Sequence, residues 1–347
     1  MSADRPAHHE AGGGFRNPWL EGRRRSAAVL RWMWERSRKD LPPSPDAAEL
    51  PRARPAIAHP RAAVGELRAT WVGHATFLLQ LGDLNVLTDP HWSERASPLE
   101  WAGPRRLAPP GVTWEELPPI DLVVVSHDHY DHLDRTTVRR LADRFGNDVR
   151  WLAPIGHGPL LAGWGARRVF ETDWWEGIRF QTDHGEVEVT CLPAQHWTKR
   201  GFWDRSSRLW SSWAIRRDSG RAVYFGGDSG WFPGYAELGR RLGSFALALL
   251  AIGAYEPRWM MRASHMNPEE ALRAYLDLGG SGAFGAMHWG TFRLTDEDPL
   301  EPPERLRAAW EAVPLPEGDL WIPAHGETRA WPAHSTDHES LERSTSG

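Results

Sequence analysis

The densest group of metal-binding side chains in this sequence is SHDHYDH, residues 126–132, which places three histidines and two aspartates within six positions. A run of three valines precedes it, as in a strand that is buried on both faces. His127 and His129 are two positions apart, so at the end of an extended strand their side chains project from one face and can bind one metal. Asp131 and His132 follow one turn later and can reach a second ion nearby. The spacing therefore predicts half of a two-metal site.

The remaining ligands of such a site must come from elsewhere, and three candidates lie at the ends of other predicted strands. His196 follows CLPAQ, Asp228 follows VYFGG and His288 follows GAM. The two oxygens of an aspartate can bridge two cations, and the glycines before Asp228 allow a close approach of the backbone. Imidazole and carboxylate ligands without a thiolate suit Zn²⁺, although this ligand type also accommodates iron or manganese. Because the ligands come from both halves of the sequence, we expect one catalytic domain.

Local patterns predict the elements that position these residues. The first alternating segment is interrupted by Gly82-Asp83, which is a two-residue hairpin signal. Asp134 can cap a helix that ends at Gly146, and Asn267 can cap another. Further strands are predicted at 149–154, 186–193, 208–216, 221–226, 245–252, 282–287 and 319–324, with a helix near 301–312. Strands followed by helices thus occur twice, which indicates two stacked sheets with helices outside each.

The composition is that of a soluble globular protein, with 347 residues, 41% hydrophobic residues and a single cysteine. One cysteine cannot form an intramolecular disulfide, and the first thirty residues lack the pattern of a secretory signal, so we expect a cytoplasmic location. The longest apolar run, 245–254, is about half of the roughly 20 residues that a membrane-spanning helix needs. The net charge of −5 argues against a nucleic-acid partner.

The N-terminal region differs from the rest of the chain. Residues 1–14 have too little apolar content to pack and are expected to be disordered. Residues 15–65 form a basic segment with a short helix, in which Leu30, Met33 and Trp34 lie on one side and arginines on much of the remainder. This helix either packs on the domain with its arginines in solvent or lies on a membrane surface. Residues 66–330 would form the catalytic domain, and residues 331–347 a flexible tail.

These motifs resemble known families at two levels. SHDHYDH with the later His196, Asp228 and His288 resembles the metallo-β-lactamase superfamily. The ordered set FRNPW, TWVGHATFLLQ, LTDPHWSERASPLEWAGPRR, AQHWTKR, GGDSG, HMNPEEA and HWGTF is similar to the N-acyl-phosphatidylethanolamine-hydrolysing phospholipase D family, from about Phe15 to Arg329. The resemblance implies an α+β fold, a four-layered αββα sandwich with the metals at the seam between its halves.

The resemblance also implies a role for each candidate ligand. A first zinc would be held by His127, His129 and His196, and a second zinc by Asp131, His132 and His288. Asp228 would bridge the two ions, and a hydroxide shared between them would be the nucleophile. His74 and Asp89 match positions near the site, where they would orient ligand imidazoles or serve a purely structural role.

Three further residues are implied to surround the lipid head group, namely Tyr130, Lys199 and His265. A compact cation at Lys199 suits a phosphate, although this residue could also be a solvated lysine at a strand end. His265 precedes a capped helix, where it could donate a proton to the leaving alcohol or bind phosphate. Tyr130 could instead pack. The catalytic residues would be Asp131, Asp228 and His265.

The implied reaction is hydrolysis of N-acyl-phosphatidylethanolamine, or of a related phosphodiester lipid, to phosphatidic acid and an N-acylethanolamine. Peripheral contact with the inner face of a membrane and a homodimer are both compatible with it. The alternative is a soluble metallo-hydrolase of a small ester, such as a lactone or a sugar phosphate. A non-catalytic binding or envelope-associated protein is a third hypothesis, against which the complete ligand set argues.

Overall fold

The computed structural model describes residues 5–20, 27–217 and 221–332. Its helices are α1 (Ala27–Arg36), α2 (Arg135–Phe145), α3 (Gly158–Gly163), α4 (Gly234–Leu242), α5 (Arg258–Met261), α6 (Pro268–Asp277) and α7 (Glu301–Glu311), and a 3-10 turn spans Glu317–Asp319. Its strands are β1 (Leu67–Gly73), β2 (Thr76–Leu81), β3 (Leu84–Thr88), β4 (Leu122–Val124), β5 (Arg150–Pro154), β6 (Arg168–Thr172), β7 (Gly177–Thr182), β8 (Gly185–Leu192), β9 (Ser212–Arg217), β10 (Ala222–Phe225), β11 (Leu247–Ala251), β12 (Ala283–Met287), β13 (Leu320–Trp321) and β14 (Thr328–Trp331).

These strands form two mixed seven-stranded sheets. The first has the order β14-β1-β2-β3-β4-β5-β6 and the second the order β13-β12-β11-β10-β9-β8-β7. Strands β3 to β6 run parallel, as do β10 to β13. The last strand pairs with the first, Leu67 opposite Trp331, so the C-terminal end of the fold completes the N-terminal sheet.

The alternation of side chains in the first sheet separates two apolar layers. In β2, Phe77 and Leu79 join the large core shared with the second sheet, whereas Leu78 joins a smaller core. That smaller core also contains Val138 of α2 and Leu161 of α3, so these helices cover the outer face of the first sheet. Side chains of α4, α6 and α7 join the large core. The predicted α+β sandwich of two sheets between helical layers is confirmed.

Predictions that depend on local chemistry are confirmed. Leu81 pairs with Leu84 across a two-residue turn in which Gly82 has φ +59°, a left-handed conformation that favours glycine. The Asp134 side chain accepts hydrogen bonds from two backbone N–H groups at the start of α2, which ends at Gly146. Asn267 caps α6 by accepting a hydrogen bond from the backbone N–H of Glu270.

Two predicted strands are shorter in the structure. The strand predicted at 208–216 begins only at Ser212. Before it, the N–H of Leu209 donates to the carbonyl of Ile155 and that of Ser211 to the carbonyl of Ser126, so this stretch bonds to loops of the first sheet rather than to β8. The strand predicted at 319–324 is reduced to β13.

The chain before Phe15 differs from the expected disorder. His9 forms an antiparallel bridge with Phe15. The Nε2 atoms of His8 and His9 lie 2.6 and 2.7 Å from the two carboxylate oxygens of Asp173. Local composition cannot reveal these contacts because the acceptor is about 165 positions away. Residues 1–4, and residues 333–347 of the tail predicted at 331–347, lie outside the described residues. Trp331, which the prediction assigned to that tail, is the last residue of β14 and pairs with Leu67. The other domain limits stay predictions.

Helix α1 forms within the predicted segment, but its apolar side faces solvent. Leu30, Met33 and Trp34 are more than half exposed, so the interpretation that this apolar side packs on the domain is wrong. The helix is attached instead through polar atoms: Trp32 Nε1 donates to Asp296 at 3.1 Å, and Arg36 Nη1 at 2.6 Å. Among the described residues, no helix combines the length and the apolar character needed to cross a membrane.

Candidate metal centre

The structure brings the seven predicted ligands together where the two sheets meet. The first sheet contributes the segment after β4, and the second contributes residues after β8, β10 and β12. In the first ligand group, His129 Nδ1 lies 2.9 Å from His127 Nε2 and 3.1 Å from His196 Nε2. All three rings are largely buried. Parallel strands that end at a common edge explain why residues so distant in sequence converge.

The second ligand group lies beside the first. His288 Nε2 is 3.2 Å from His132 Nε2 and 3.5 Å from Asp131 Oδ2. His74 also joins this group, because its Nε2 lies 2.9 Å from Asp131 Oδ2. The sequence predicted His74 as an orienting residue, and its position allows either that role or direct coordination.

Asp228 lies within reach of both groups. One carboxylate oxygen is 3.1 Å from His132 Nε2 and the other is 3.0 Å from His288 Nε2. The first oxygen is also 3.9 Å from His127 Nε2 and 3.8 Å from His196 Nε2. This is the position that a bridging ligand requires.

The residues present are chemically suited to metal ions. Zinc–nitrogen bonds of 2.0–2.1 Å in a tetrahedral site place ligand atoms about 3.3 Å apart, close to the spacing of these nitrogens. The Nδ1 atoms of His127 and His196 face Ser126 Oγ and the carbonyl of Ser264, so in the neutral rings the Nε2 atoms carry no proton and only accept. A shared cation would accept the lone pairs of both, and the ligand types are those of zinc and similar metals.

Burial sets the protonation state of the first group. It disfavours the imidazolium form and lowers the pKa of His129, and it lowers the pKa of His127 and His196 well below the ordinary histidine range. These three rings are therefore neutral near pH 7 and have lone pairs available for a metal.

Charge pairing dominates in the second group. Burial opposes ionisation of Asp131 and Asp228, but His132 and its neighbours outweigh burial and hold the pKa of both carboxylates well below the usual range. Burial likewise opposes protonation of His288, but Asp228 and Asp131 raise its pKa to about 9. A dication at this position would supply the positive charge that these carboxylates require.

Asp89 orients the ligands, as predicted. Its Oδ2 lies 2.7 Å from His132 Nδ1, which leaves the other ring nitrogen of His132 directed at the centre. The same oxygen accepts from Ser126 Oγ at 2.5 Å, and that hydroxyl lies 2.9 Å from His127 Nδ1. One carboxylate thus positions a histidine in each ligand group.

Three residues of the site have backbone conformations that side chains other than glycine rarely adopt. The φ angles are +56° at His74, +32° at Asp89 and +64° at His288. Each residue follows a strand and turns sharply towards the centre. Strain of this kind persists at functional sites when the surrounding structure enforces it.

The predicted head-group residues lie in different environments. The Tyr130 hydroxyl donates to the carbonyl of Arg200 at 2.8 Å, so it supports a loop. The backbone N–H of Lys199 donates to Asp128 at 3.0 Å, while its side chain is exposed. His265 is buried beside the centre, with its Nδ1 3.8 Å from Asp228 Oδ2.

The protonation of His265 argues against one of its two predicted roles. Burial lowers its pKa to about 3, so the ring is neutral at physiological pH. It therefore holds no imidazolium proton to give to a leaving alcohol. A neutral His265 can still form a hydrogen bond with a substrate through a ring nitrogen.

Sequence reasoning missed residues that position His196. Its Nδ1 lies 2.9 Å from the carbonyl of Ser264, and its own carbonyl accepts from Asn17 Nδ2 at 2.7 Å. The motif FRNPW contains Asn17, but its role depends on a contact 179 residues away. Backbone partners such as Ser264 leave no residue-type signal.

A cavity of about 1060 Å³ opens beside the first ligand group. Its lining comes mainly from residues of the N-terminal segment between Ala7 and Leu20 and from the loop between β8 and β9, which includes His196 and Trp197. Trp197 also contacts His129, with ring centroids 4.4 Å apart. Arg205 stacks on the ring of Trp197 at 4.1 Å. The cavity therefore has aromatic walls and a cation near the candidate metals.

Comparison with known proteins agrees with this geometry. Residues 84–289 match the family model of the β-lactamase superfamily domain. A Mycobacterium tuberculosis protein of uncharacterised function is 46% identical over 280 residues, covering 78% of this chain and 72% of that protein. The N-acyl-phosphatidylethanolamine-hydrolysing phospholipase D 1 of Caenorhabditis elegans is 39% identical over 275 residues, covering 74% of this chain and 75% of that protein.

Among solved structures, a metallo hydrolase from Ignicoccus hospitalis superposes with a TM-score of 0.56 at 24% identity, covering 77% of this chain and 99% of that one. This likeness supports the fold alone. The predicted resemblance is confirmed by the family model and the nematode relative. The chain belongs to the metallo-β-lactamase superfamily, as a metal-dependent hydrolase related to the N-acyl-phosphatidylethanolamine-hydrolysing phospholipases D.

Proposed function

We propose that this protein is a dinuclear zinc phosphodiesterase of phospholipase D type. It hydrolyses N-acyl-phosphatidylethanolamine, or a related phosphodiester lipid, to phosphatidic acid and an N-acylethanolamine. The observation that carries the proposal is the pair of ligand groups that share Asp228 beside a large aromatic cavity. The named activity of the nematode relative supports the substrate class.

The protein's residues divide the work at this centre. His127, His129 and His196 would hold one ion, Asp131, His132 and His288 the other, and Asp228 both. Two dications supply Lewis-acid stabilisation of phosphoryl oxygens and make hydroxide available near neutral pH. Asp89 and Ser126 keep the imidazoles in the required orientation.

The cavity suits an anionic lipid. Its aromatic lining includes Trp197 and the exposed Trp203, which offer apolar surface to acyl chains. Arg205 places a permanent positive charge over Trp197, near the ligand His129, where a phosphodiester anion would approach. Neutral His265 can donate a hydrogen bond in the same region.

The test is product analysis by mass spectrometry with a panel of substrates. Zinc-loaded protein is incubated with N-acyl-phosphatidylethanolamine in mixed micelles, with a lactone, and with a sugar phosphate. The proposal predicts phosphatidic acid and N-acylethanolamine from the first substrate and no turnover by Asp228→Asn. Turnover of the lactone or sugar phosphate alone, by protein shown to contain two metals, would establish the small-ester alternative instead.

A further inference from the structure

The loop between β8 and β9 exposes two adjacent aromatic side chains. Phe202 is 90% exposed and Trp203 is 98% exposed, the largest values among the large hydrophobic residues that the structure describes. Single exposed apolar residues are common on protein surfaces. Two neighbouring aromatic rings held entirely in water are unfavourable, since each has a large apolar area to bury.

This exposure does not result from a loosely held loop. Arg200 Nη1 donates to the carbonyls of Asp128 at 2.9 Å and Leu133 at 2.7 Å, close to the candidate metal ligands. Asp204 accepts from the backbone N–H of Gly201 at 2.7 Å and from that of Arg200 at 3.1 Å. The loop is therefore fixed on both sides of its tip, and the fold itself presents the two rings.

The charge around the tip is positive. Lys199 and Arg205 are both exposed and lie three and two positions from the aromatic pair. The acid nearest in sequence, Asp204, is paired with Arg208 at 2.9 Å. A local cationic surface on a chain with a net charge of −5 favours an anionic partner. Exposed aromatic rings beside basic residues are typical of segments that lie in the interface of an anionic membrane.

The same loop forms a wall of the cavity beside the candidate metals. Trp203 and Arg205 line that cavity together with His196. A surface on which this tip rests therefore adjoins the entrance to the site. A lipid leaving that surface would reach the cavity without full exposure of its acyl chains to water.

We propose that this loop docks the protein on an anionic phospholipid bilayer, with Phe202 and Trp203 inserted at head-group level and Lys199 and Arg205 against the lipid phosphates. The choice of a lipid partner rests on the proposed function. Docking itself is measured without turnover, so the two proposals can fail separately.

The experiment uses one environment-sensitive fluorophore at the tip. Trp203→Cys is labelled with a nitrobenzoxadiazole maleimide and mixed with vesicles of phosphatidylcholine containing phosphatidylglycerol. The native Cys191 is fully buried, so labelling is confined to the introduced thiol. We expect a blue shift and an intensity increase with anionic vesicles, reversed by high salt. The control is Val64→Cys, labelled in the same way at an exposed site on the loop before β1.

Co-sedimentation gives a second, label-free measurement. Phe202→Ser/Trp203→Ser is expected to bind the same vesicles roughly tenfold more weakly or worse, because two aromatic rings lose their burial. Leu276→Ser, an exposed apolar residue on α6, is expected to bind as the parent does. Unchanged thermal midpoint and metal content establish that the double variant is folded.

The remaining outcomes are distinguishable. Equal vesicle binding by the parent and the double variant would overturn lipid docking. A probe signal that depends only on protein concentration would also overturn it, and would indicate that the loop binds a second copy of the chain. Docking without hydrolysis of N-acyl-phosphatidylethanolamine would retain this inference and refute the proposed function. Hydrolysis in detergent micelles without vesicle binding would refute the docking alone.

Discussion

At the scale of single residues, the centre depends on the orientation of its imidazoles. Asp89 is the residue that links the two ligand groups from behind, through His132 directly and through Ser126 to His127. Its carboxylate is fully buried. Loss of such a partner leaves a ligand histidine free to rotate and its Nδ1 proton unsatisfied.

We predict that Asp89→Ala weakens metal binding at the second ligand group by roughly 10–100-fold. The first group should lose less affinity, because Asp89 reaches it only through Ser126 and His127. Competition with a chromophoric chelator measures both affinities. The control is Asp183→Ala, in an exposed hairpin turn. Unchanged affinity at the second group would contradict the orienting role.

A second residue-scale prediction concerns the single cysteine. Burial raises the pKa of Cys191 to about 12, so its thiol stays protonated in the folded protein at pH 9. An unfolded cysteine has a pKa of about 8.5 and is largely ionised at that pH. We expect no reaction with Ellman's reagent at pH 9 until denaturant is added, and then one thiol per chain. Rapid reaction of the native protein would show that this core is open.

At the scale of secondary structure, α1 is attached through polar contacts rather than apolar packing. Asp296 accepts from Trp32 and Arg36, while Leu30, Met33 and Trp34 face solvent. An apolar stripe in solvent with arginines beside it gives this helix the composition of a membrane-surface element.

We predict that Asp296→Ala releases α1. Removing an acceptor of two hydrogen bonds, one of them charged, should speed amide exchange over Ala27–Arg36 by roughly tenfold or more. Exchange in α6 and α7 should not change. Hydrogen–deuterium exchange with mass spectrometry measures this, and Glu311→Ala is an exposed control. Unchanged exchange in α1 would show that contacts other than Asp296 hold the helix.

The sequence predicts those features of the fold that neighbouring residues determine, and it does not predict those that depend on distant contacts. The hairpin at Gly82-Asp83 and the cap at Asp134 were predicted because neighbouring residues determine them. The orientation of α1 was not, because its amphipathic pattern shows two different faces without showing which one meets Asp296. The predicted beginning of β9 was wrong for the same reason. The N–H groups of residues before Ser212 donate to carbonyls that are distant in sequence.

The candidate metal centre likewise has some features that the sequence predicts and others that it does not. Its ligands could be predicted because strand ends and residue types mark them in the sequence. The supporting contacts of His196 could not, because one partner is a backbone carbonyl and the other comes from the N-terminal segment. The neutral state of His265 depends on burial in the assembled fold and has no local signal.

At the scale of the whole molecule, the two sheets each contribute part of the centre. Bound metals would therefore join the halves of the sandwich and compensate buried carboxylates. Binding to the folded state alone stabilises it by about 4 kcal/mol at a free metal concentration 1,000 times the dissociation constant.

We predict that EDTA lowers the thermal midpoint by roughly 5 °C or more, and that added zinc restores it. Scanning calorimetry measures the shift. EDTA saturated with zinc beforehand is the control for effects of the chelator itself. A midpoint that is the same with and without metal, in protein shown to lose its metal, would contradict a structural role for the ions.

Hydrolysis of N-acyl-phosphatidylethanolamine in water enriched in oxygen-18, with the products analysed by mass spectrometry, shows which bond the protein cleaves. Cleavage of phospholipase D type predicts one heavy oxygen in the phosphatidic acid and none in the N-acylethanolamine, and no products from Asp228→Asn. Heavy oxygen in a free fatty acid, release of diacylglycerol, or no turnover by protein that contains two metals would contradict it.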